Sequence, residues 1–187
     1  YDALKKEAFM KQLFLTLGLI YSVGAFSAED KIKFNYVDAE ITQVIQDYAK
    51  AAGQKFTIDS VVRGKTTILN TESVTIEKAF EELSEALAAQ GFAIVKRDEF
   101  YTVKTVRYAL RDNIQASTEV PAAKPQRLAT WMVVLKNVFV GDLVKDLRTA
   151  VSSEGEMTAL RSTNQLFITD WSYNLQTVAE MIKQADQ

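Results

Sequence analysis

Any chemistry in this chain would have to come from carboxylates and hydroxyls. Its 187 residues contain no His and no Cys, which removes imidazole and thiolate metal sites, Ser-His and Cys-His catalysis, and every disulfide. What is left is acid–base work by two converging carboxylates, the chemistry of a hydrolase acting on the cell wall. Asp38 and Asp170 are the two to consider, and both stand where a helix N-cap belongs, a position that commits a carboxylate to backbone N–H groups. Glu77, Glu81, Glu82 and Glu85 form a charge run on one helix and read as its solvated face. Trp131 and Trp171 could stack on a sugar or a base, but each adjoins an apolar run and reads as core or interface. No carboxylate pair remains outside caps and solvated faces. The chain therefore reads as non-enzymatic, with no cofactor and no metal.

Charge narrows the partners. With 22 basic against 24 acidic residues the net charge is -2, so the basic excess that tracks a phosphate backbone is missing, and nucleic acid is not an expected ligand. A hydrophobic content of 48% is enough for packed cores.

Residues 1–30 read as a leader. Met10-Lys11 precedes the apolar run from Leu13 to Ala25, and the small-residue pattern Ala25-Phe26-Ser27 suits cleavage near Ser27. The run is short for a membrane span. No Cys follows it to carry a lipid, so the expected product is exported and soluble. Three regions follow: a patterned module over 31–106, a linker over 107–129 centred on Pro121-Ala122-Ala123-Lys124-Pro125, and a second patterned module over 130–187.

The first module alternates Ile32, Phe34 and Tyr36 against Lys31, Lys33 and Asn35, which predicts a half-buried strand. A helix capped by Asp38 buries Ile41, Val44, Ile45 and Tyr48 and ends at Gly53. Phe56 and Ile58 mark a second strand. Gly64 supplies a turn that opens the third, Thr66 to Asn70. A second helix starts near Ser73 or Thr75, carries Ala79, Phe80, Leu83 and Leu87 inward, and stops at Gly91. Residues 92–96 and 100–104 pair as a hairpin across Arg97-Asp98-Glu99. The order is βαββαββ, an α+β domain with no Gly-rich phosphate loop.

The second module reads βαββα. Its elements are a strand from Trp131 to Val138, a helix with Val140, Leu143, Val144 and Leu147 inward, strands near 156–160 and 166–169, and a last helix capped by Asp170 or Ser172. That order resembles a KH domain, but the Gly-x-x-Gly loop that clamps a nucleic-acid backbone does not occur between Trp131 and Gln187.

Several phrases of the first module carry a resemblance: Phe34-Asn35-Tyr36-Val37-Asp38-Ala39-Glu40-Ile41, Gly53-Gln54-Lys55-Phe56-Thr57-Ile58-Asp59, Val62-Arg63-Gly64-Lys65-Thr66-Thr67, and Tyr101-Thr102-Val103. They resemble the N-terminal periplasmic domain of secretins, the outer-membrane channels of type II secretion and type IV pili. The same fold occurs as the signalling (STN) domain of TonB-dependent transducers, so this module alone leaves both open. The second module resembles the ring-building repeat that follows in secretins, through Leu135-Lys136-Asn137-Val138, Ser162 to Asp170, and Ile182 to Asp186. The resemblance covers about 31–186 and does not reach the Gly-rich barrel of a secretin, so channel formation is not assigned to these residues. The expectation is either a fragment of a secretin or a stand-alone secretin-like periplasmic factor.

The resemblance implies a periplasmic location below an outer-membrane channel, lateral packing of like modules into a homo-oligomeric ring, a secreted protein as cargo, and docking of the first module to the inner-membrane platform protein. A sheet edge offers unpaired backbone groups to a partner strand. The expected contact residues are therefore Lys31, Lys33 and Asn35 on the exposed face of the first strand, with Thr67 and Leu69 on the third.

Overall fold

The computed structural model describes residues 31–112 and 114–187. The expected leader lies outside them. The described chain is α+β and gathers around two large hydrophobic clusters, one in each patterned module, and a third, smaller one of Ala93, Val106 and Ala109.

In the first module, β1 (Lys31–Ile32) pairs antiparallel with β5 (Val74–Thr75), and β2 (Tyr36–Glu40) pairs antiparallel with β4 (Lys65–Ile68). The strand expected over Lys31 to Tyr36 is thus two strands with different partners. At the break Asn70 substitutes for a neighbouring strand. Its side-chain amide donates to the Phe34 carbonyl at 2.7 Å and to Glu82 at 2.6 Å, and its backbone N–H donates to Asn35 Oδ1 at 3.3 Å. Backbone groups that lose a ladder still need partners, and one side chain supplies them.

Asp38 does not cap a helix. It lies in β2 at φ 52°, within a bulge between Tyr36 and Ala39, and its carboxylate meets Lys65 Nζ at 2.6 Å. Helix α1 (Ile41–Ala52) has no side-chain cap. Instead, the Ile41 N–H donates to the Gly64 carbonyl at 2.9 Å, so the turn that precedes β4 closes the helix start. Gly64 holds φ 129°, a backbone region that side chains disfavour. Helix α1 ends in the left-handed Gly53. Thr75 caps α2 (Ile76–Ala89) by accepting the Lys78 N–H at 3.2 Å.

The larger sheet of this module orders β3 (Lys55–Ile58), β7 (Phe100–Thr105) and β6 (Phe92–Arg97), with β3 parallel and β6 antiparallel to the central strand. One face carries Phe56, Ile58, Ile94 and Val103 into the core under α1 and α2. Tyr48 sits at its centre, with ring contacts to Phe34, Phe56 and Phe80 at 6.3, 5.8 and 5.6 Å.

The second module is built on the sheet order β10-β11-β9-β8. Strand β8 (Ala116–Ser117) runs parallel to β9 (Leu128–Val134), which pairs antiparallel with β11 (Gln165–Trp171), and that with β10 (Glu156–Leu160). Helices α4 (Val140–Leu147) and α5 (Ser172–Ala185) cover the face bearing Trp131, Leu166 and Ile168. A short helix α3 (Val106–Ala109) lies between the modules.

Three expectations change in this module. Strand β9 begins at Leu128, because Leu128, Ala129 and Thr130 pair with Trp171, Asp170 and Thr169. It ends before Lys136, whose N–H, with those of Asn137 and Val138, donates to the Asp186 carboxylate at 2.7–3.1 Å. Asp170 caps no helix either. It is a fully buried strand residue whose carboxylate accepts from Ser152 N–H (2.9 Å), Ser152 Oγ (2.6 Å), Trp171 N–H (2.7 Å) and Asn174 Nδ2 (2.7 Å). It ties the turn after α4 to the first turn of α5, and Gly155 is required beside it because an added Cβ would fall 2.9 Å from the carboxyl group. Neither Ser172 nor Trp171 caps α5 through a side chain.

Candidate functional site

The five expected contact residues are all exposed, but they do not lie on one strand. Lys31 is in β1, whose backbone is taken by β5, and Lys33 lies in the break that follows. Asn35 precedes β2, Thr67 is in β4, and Leu69 directly follows it. The antiparallel register Tyr36 to Ile68 brings Asn35, Thr67 and Leu69 to the same two-stranded ribbon. Ile68 turns inward to the core, so alternation sends its neighbours Thr67 and Leu69 outward.

Sequence reasoning missed Val37. It is 70% exposed and Leu69 is 73% exposed, and the two flank the Tyr36–Ile68 pair on the outer face. Extending the alternation of Ile32, Phe34 and Tyr36 by one residue puts Val37 outside beside Asn35, a signal present in the sequence but set aside for the expected helix cap at Asp38. The bulge is held by the Asp38 N–H, which donates to Thr67 Oγ1 at 3.1 Å. The Asp38–Lys65 ion pair is exposed on both sides, so it adds little stability and leaves a polar rim beside Val37.

Behind the ribbon, the Tyr36 hydroxyl donates to Asp47 on α1 at 3.1 Å, which fixes the ribbon against the helix. Burial, the hydrogen bond to Asp47 and the Asp47 charge push the Tyr36 hydroxyl up to about 12. Burial, with Tyr101 and Glu77 nearby, raises Tyr48 to about 12 as well. Both are packing groups that stay protonated. The ribbon β2–β4 is two-stranded, with no further strand on either side among the described residues. It offers solvent an apolar pair, a polar rim and open backbone edges, the composition of a surface that accepts a strand from another chain.

Catalysis finds no comparable support. Asp38 and Asp170 are engaged as described above and stand in different modules. Glu82 accepts from Asn70, Glu81 meets Lys78 at 3.3 Å, and Glu85 meets Lys124 at 3.3 Å. A cleft of about 1010 Å³ opens between the β6–β7 hairpin and residues 114–130, with Phe80, Tyr101 and Pro121 in its wall. Of the three carboxylates in its lining, Asp112 is tied to Arg97 and Lys104 at 3.0 and 2.8 Å, and Asp98 and Glu119 are exposed to solvent. Among the described residues no group of acidic side chains is placed to hold a metal ion, and no helix is long and apolar enough to cross a membrane.

Comparison with known proteins separates the two readings that the first module left open. Residues 34–103 match the model of the GspD-like N0 domain, and residues 130–187 match that of the short domain of bacterial type II/III secretion systems, together more than half of the chain. The chain belongs to the secretin family. The secretin XcpQ of Pseudomonas aeruginosa is 24% identical over 155 residues, which is 82% of this chain and 22% of that protein. A GspD secretin relative from Escherichia coli K12 is 23% identical over 179 residues, or 92% of this chain and 27% of that protein. The chain thus spans about a quarter of the length of the curated secretins it matches.

The fold is shared with a solved Klebsiella pneumoniae type II secretion system outer membrane complex that contains PulD, PulS and the PulC HR domain. The TM-score is 0.71 at 18% identity, covering 83% of this chain and 27% of that one. The first module is therefore a secretin N0 domain and the second the short secretin domain that follows it, read from sequence as the ring-building repeat.

Proposed function

We propose that this chain is the periplasmic, ring-forming part of a type II secretion secretin, and that its N0 domain docks the inner-membrane platform protein through the β2–β4 ribbon. The observation that carries the reading is the union of two different secretin modules in order, with an N0 ribbon that leaves Val37 and Leu69 70% and 73% exposed beside open strand edges. The Klebsiella complex that shares this fold also contains the PulC HR domain, which supports a docking role for this part of a secretin. Like modules pack side by side in a cyclic ring through a heterologous interface, one face of each wedge meeting the opposite face of the next. The work is assembly and coupling. Contact with the secreted protein follows from the ring's position below the channel.

The docking surface comprises Val37, Asn35, Thr67 and Leu69 on the ribbon, with Lys31 and Lys33 at its margin. A pull-down of the platform protein's periplasmic domain from the same secretion system tests it. Lys33→Glu is expected to weaken capture several-fold while circular dichroism of the chain stays unchanged. Equal capture by the variant would remove Lys33 from the surface. Equal capture by a Val37→Asp, Leu69→Asp double variant would remove the ribbon altogether.

A further inference from the structure

The first four residues of strand β6, Phe92 to Val95, are apolar on both faces. Phe92 and Ile94 enter the N0 core, while Ala93 and Val95 point the other way, and Ala93 is 1% exposed. A strand buried on both sides needs a second covering layer. That layer comes from outside the N0 domain: Val106, Ala109 and Leu110 in and after α3, then Leu128 and Trp171 from the second module.

The chain between these groups is fastened to both modules. Its first part is held on N0, where the Val106 N–H donates to the Gly91 carbonyl at 3.0 Å and Asp112 lies between Arg97 Nη2 (3.0 Å) and Lys104 Nζ (2.8 Å). The side chains of Lys104 and Asp112 are only 16% and 18% exposed, so water and salt screen this pair less than an open surface pair. The later part is held on the second module. Trp131 Nε1 donates to the Thr118 carbonyl at 3.2 Å, Gln176 Nε2 to the Pro121 carbonyl at 2.6 Å, and Ser172 Oγ to the Ala123 carbonyl at 2.8 Å. Lys124 crosses back to Glu85 on α2 at 3.3 Å.

We propose that residues 106–112 and 114–128 act as a strap that locks the N0 domain to the second module in one orientation, and that the Asp112 ion cluster is its release point. The stretch expected to be a plain linker thus carries a helix, a strand and fastenings to both sides. The apolar contact is small, consisting of a few alanine and valine groups under Leu128 and Trp171. The Lys104–Asp112 pair is the more buried of the strap's ion pairs to N0, since Lys124 and Glu85 are each 54% exposed. Removing the Asp112 charge leaves two cations facing each other and loosens the N0 end of the strap, which is then held by the Val106 N–H, the apolar contact and Lys124, while the ties to the second module remain. The inference concerns the relative motion of two modules and does not depend on what the ribbon docks.

The absence of native Cys allows a direct test. Spin labels on Cys introduced at the exposed positions Lys50 and Lys183 report the distance between the modules by double electron–electron resonance. The chain carrying Asp112 should give one narrow distance distribution. Asp112→Asn should widen it at least twofold with unchanged circular dichroism, Arg97→Gln should widen it to a lesser degree, and Asp112→Glu, which keeps the charge, should restore the narrow form. A distribution already broad with Asp112 in place, or one that stays narrow in both Asp112→Asn and Arg97→Gln, would overturn the proposal. The Arg97 variant decides the matter where Asp112→Asn disturbs folding.

Discussion

The N0 domain and the second module solve the same problem with different materials. N0 is held by aromatic packing: Phe34, Tyr36, Tyr48, Phe56, Phe80 and Tyr101 form a continuous set of ring contacts, and its first helix starts without a side-chain cap. The second module is pinned by three polar side chains. Asp170 joins two turns, Asp186 gathers three N–H groups, and Asn164 accepts the Val140 N–H at 2.8 Å while donating to the Leu135 and Val138 carbonyls, both at 2.9 Å. A ring core tolerates a loose rim, and N0 accordingly exposes a ribbon that two strands share. Polar pegs fix loop geometry residue by residue.

The largest effect that separates the two is expected at Tyr48, which is 1% exposed and touches three other rings. Tyr48→Ala should cost about 3–5 kcal/mol, in line with removal of a buried aromatic. Hydrogen exchange should show lost protection in α1, β3 and β7, with α5 and β11 still protected. Equal loss in both modules would mean that they fold as one cooperative unit.

Asp170→Ala should act in the other module and somewhat more mildly. It strands the Ser152, Trp171 and Asn174 donors at a buried site, at a cost of about 1–3 kcal/mol. Asp170→Asn, which keeps part of the accepting capacity, should cost less. Chemical denaturation followed by Trp fluorescence reads this, since Trp171 neighbours the site. An unchanged midpoint in Asp170→Ala would show that the peg is not structural.

The pH response should split the modules by sign. Tyr36 and Tyr48 are raised to about 12 from 10.0. Folding favours their protonated form, so the stability they contribute is complete below pH 10 and is lost as pH rises toward 12. Hydrogen bonds from Lys136 and Asn137 lower Asp186 from 3.8. Its contribution is complete above that value and is lost as pH falls through the depressed one. N0 should therefore weaken first in alkali, and the Lys136–Val138 turn should loosen first in acid. Asp186→Asn should remove the acid step by nuclear magnetic resonance of those three amides, and an acid step that persists would place its origin elsewhere.

Much of this architecture is legible from the residues. Gly53, Gly64 and Thr75 act in the structure as the sequence suggests, because backbone conformation and capping are local properties written in one or two residues. The misread positions depend on distant partners. Asp38 looks like a cap only until β4 continues pairing as far as Lys65 opposite Glu40. Asp170 looks like a cap until Ser152, eighteen residues earlier, reaches it. The first strand reads as continuous because nothing local announces that Asn70 will take over the hydrogen bonding at its break. Of the proposed docking surface, alternation shows Asn35, Thr67 and Leu69 in the sequence, and the expected cap at Asp38 conceals Val37. Residues 106–112 and 114–128 read as plain linker for the same reason, since polar and Pro-containing sequence gains structure only from the modules it touches.

The central claim is that the exposed β2–β4 ribbon of N0 binds the inner-membrane platform protein. The most direct measurement is a calorimetric titration of this chain with that protein's periplasmic domain from the same secretion system, repeated with Leu69→Asp. The outward position of Leu69 should keep the variant's stability within about 0.5 kcal/mol of the parent, while its affinity is expected to fall at least tenfold. Unchanged affinity with an intact fold would contradict the claim and move the docking site off the ribbon.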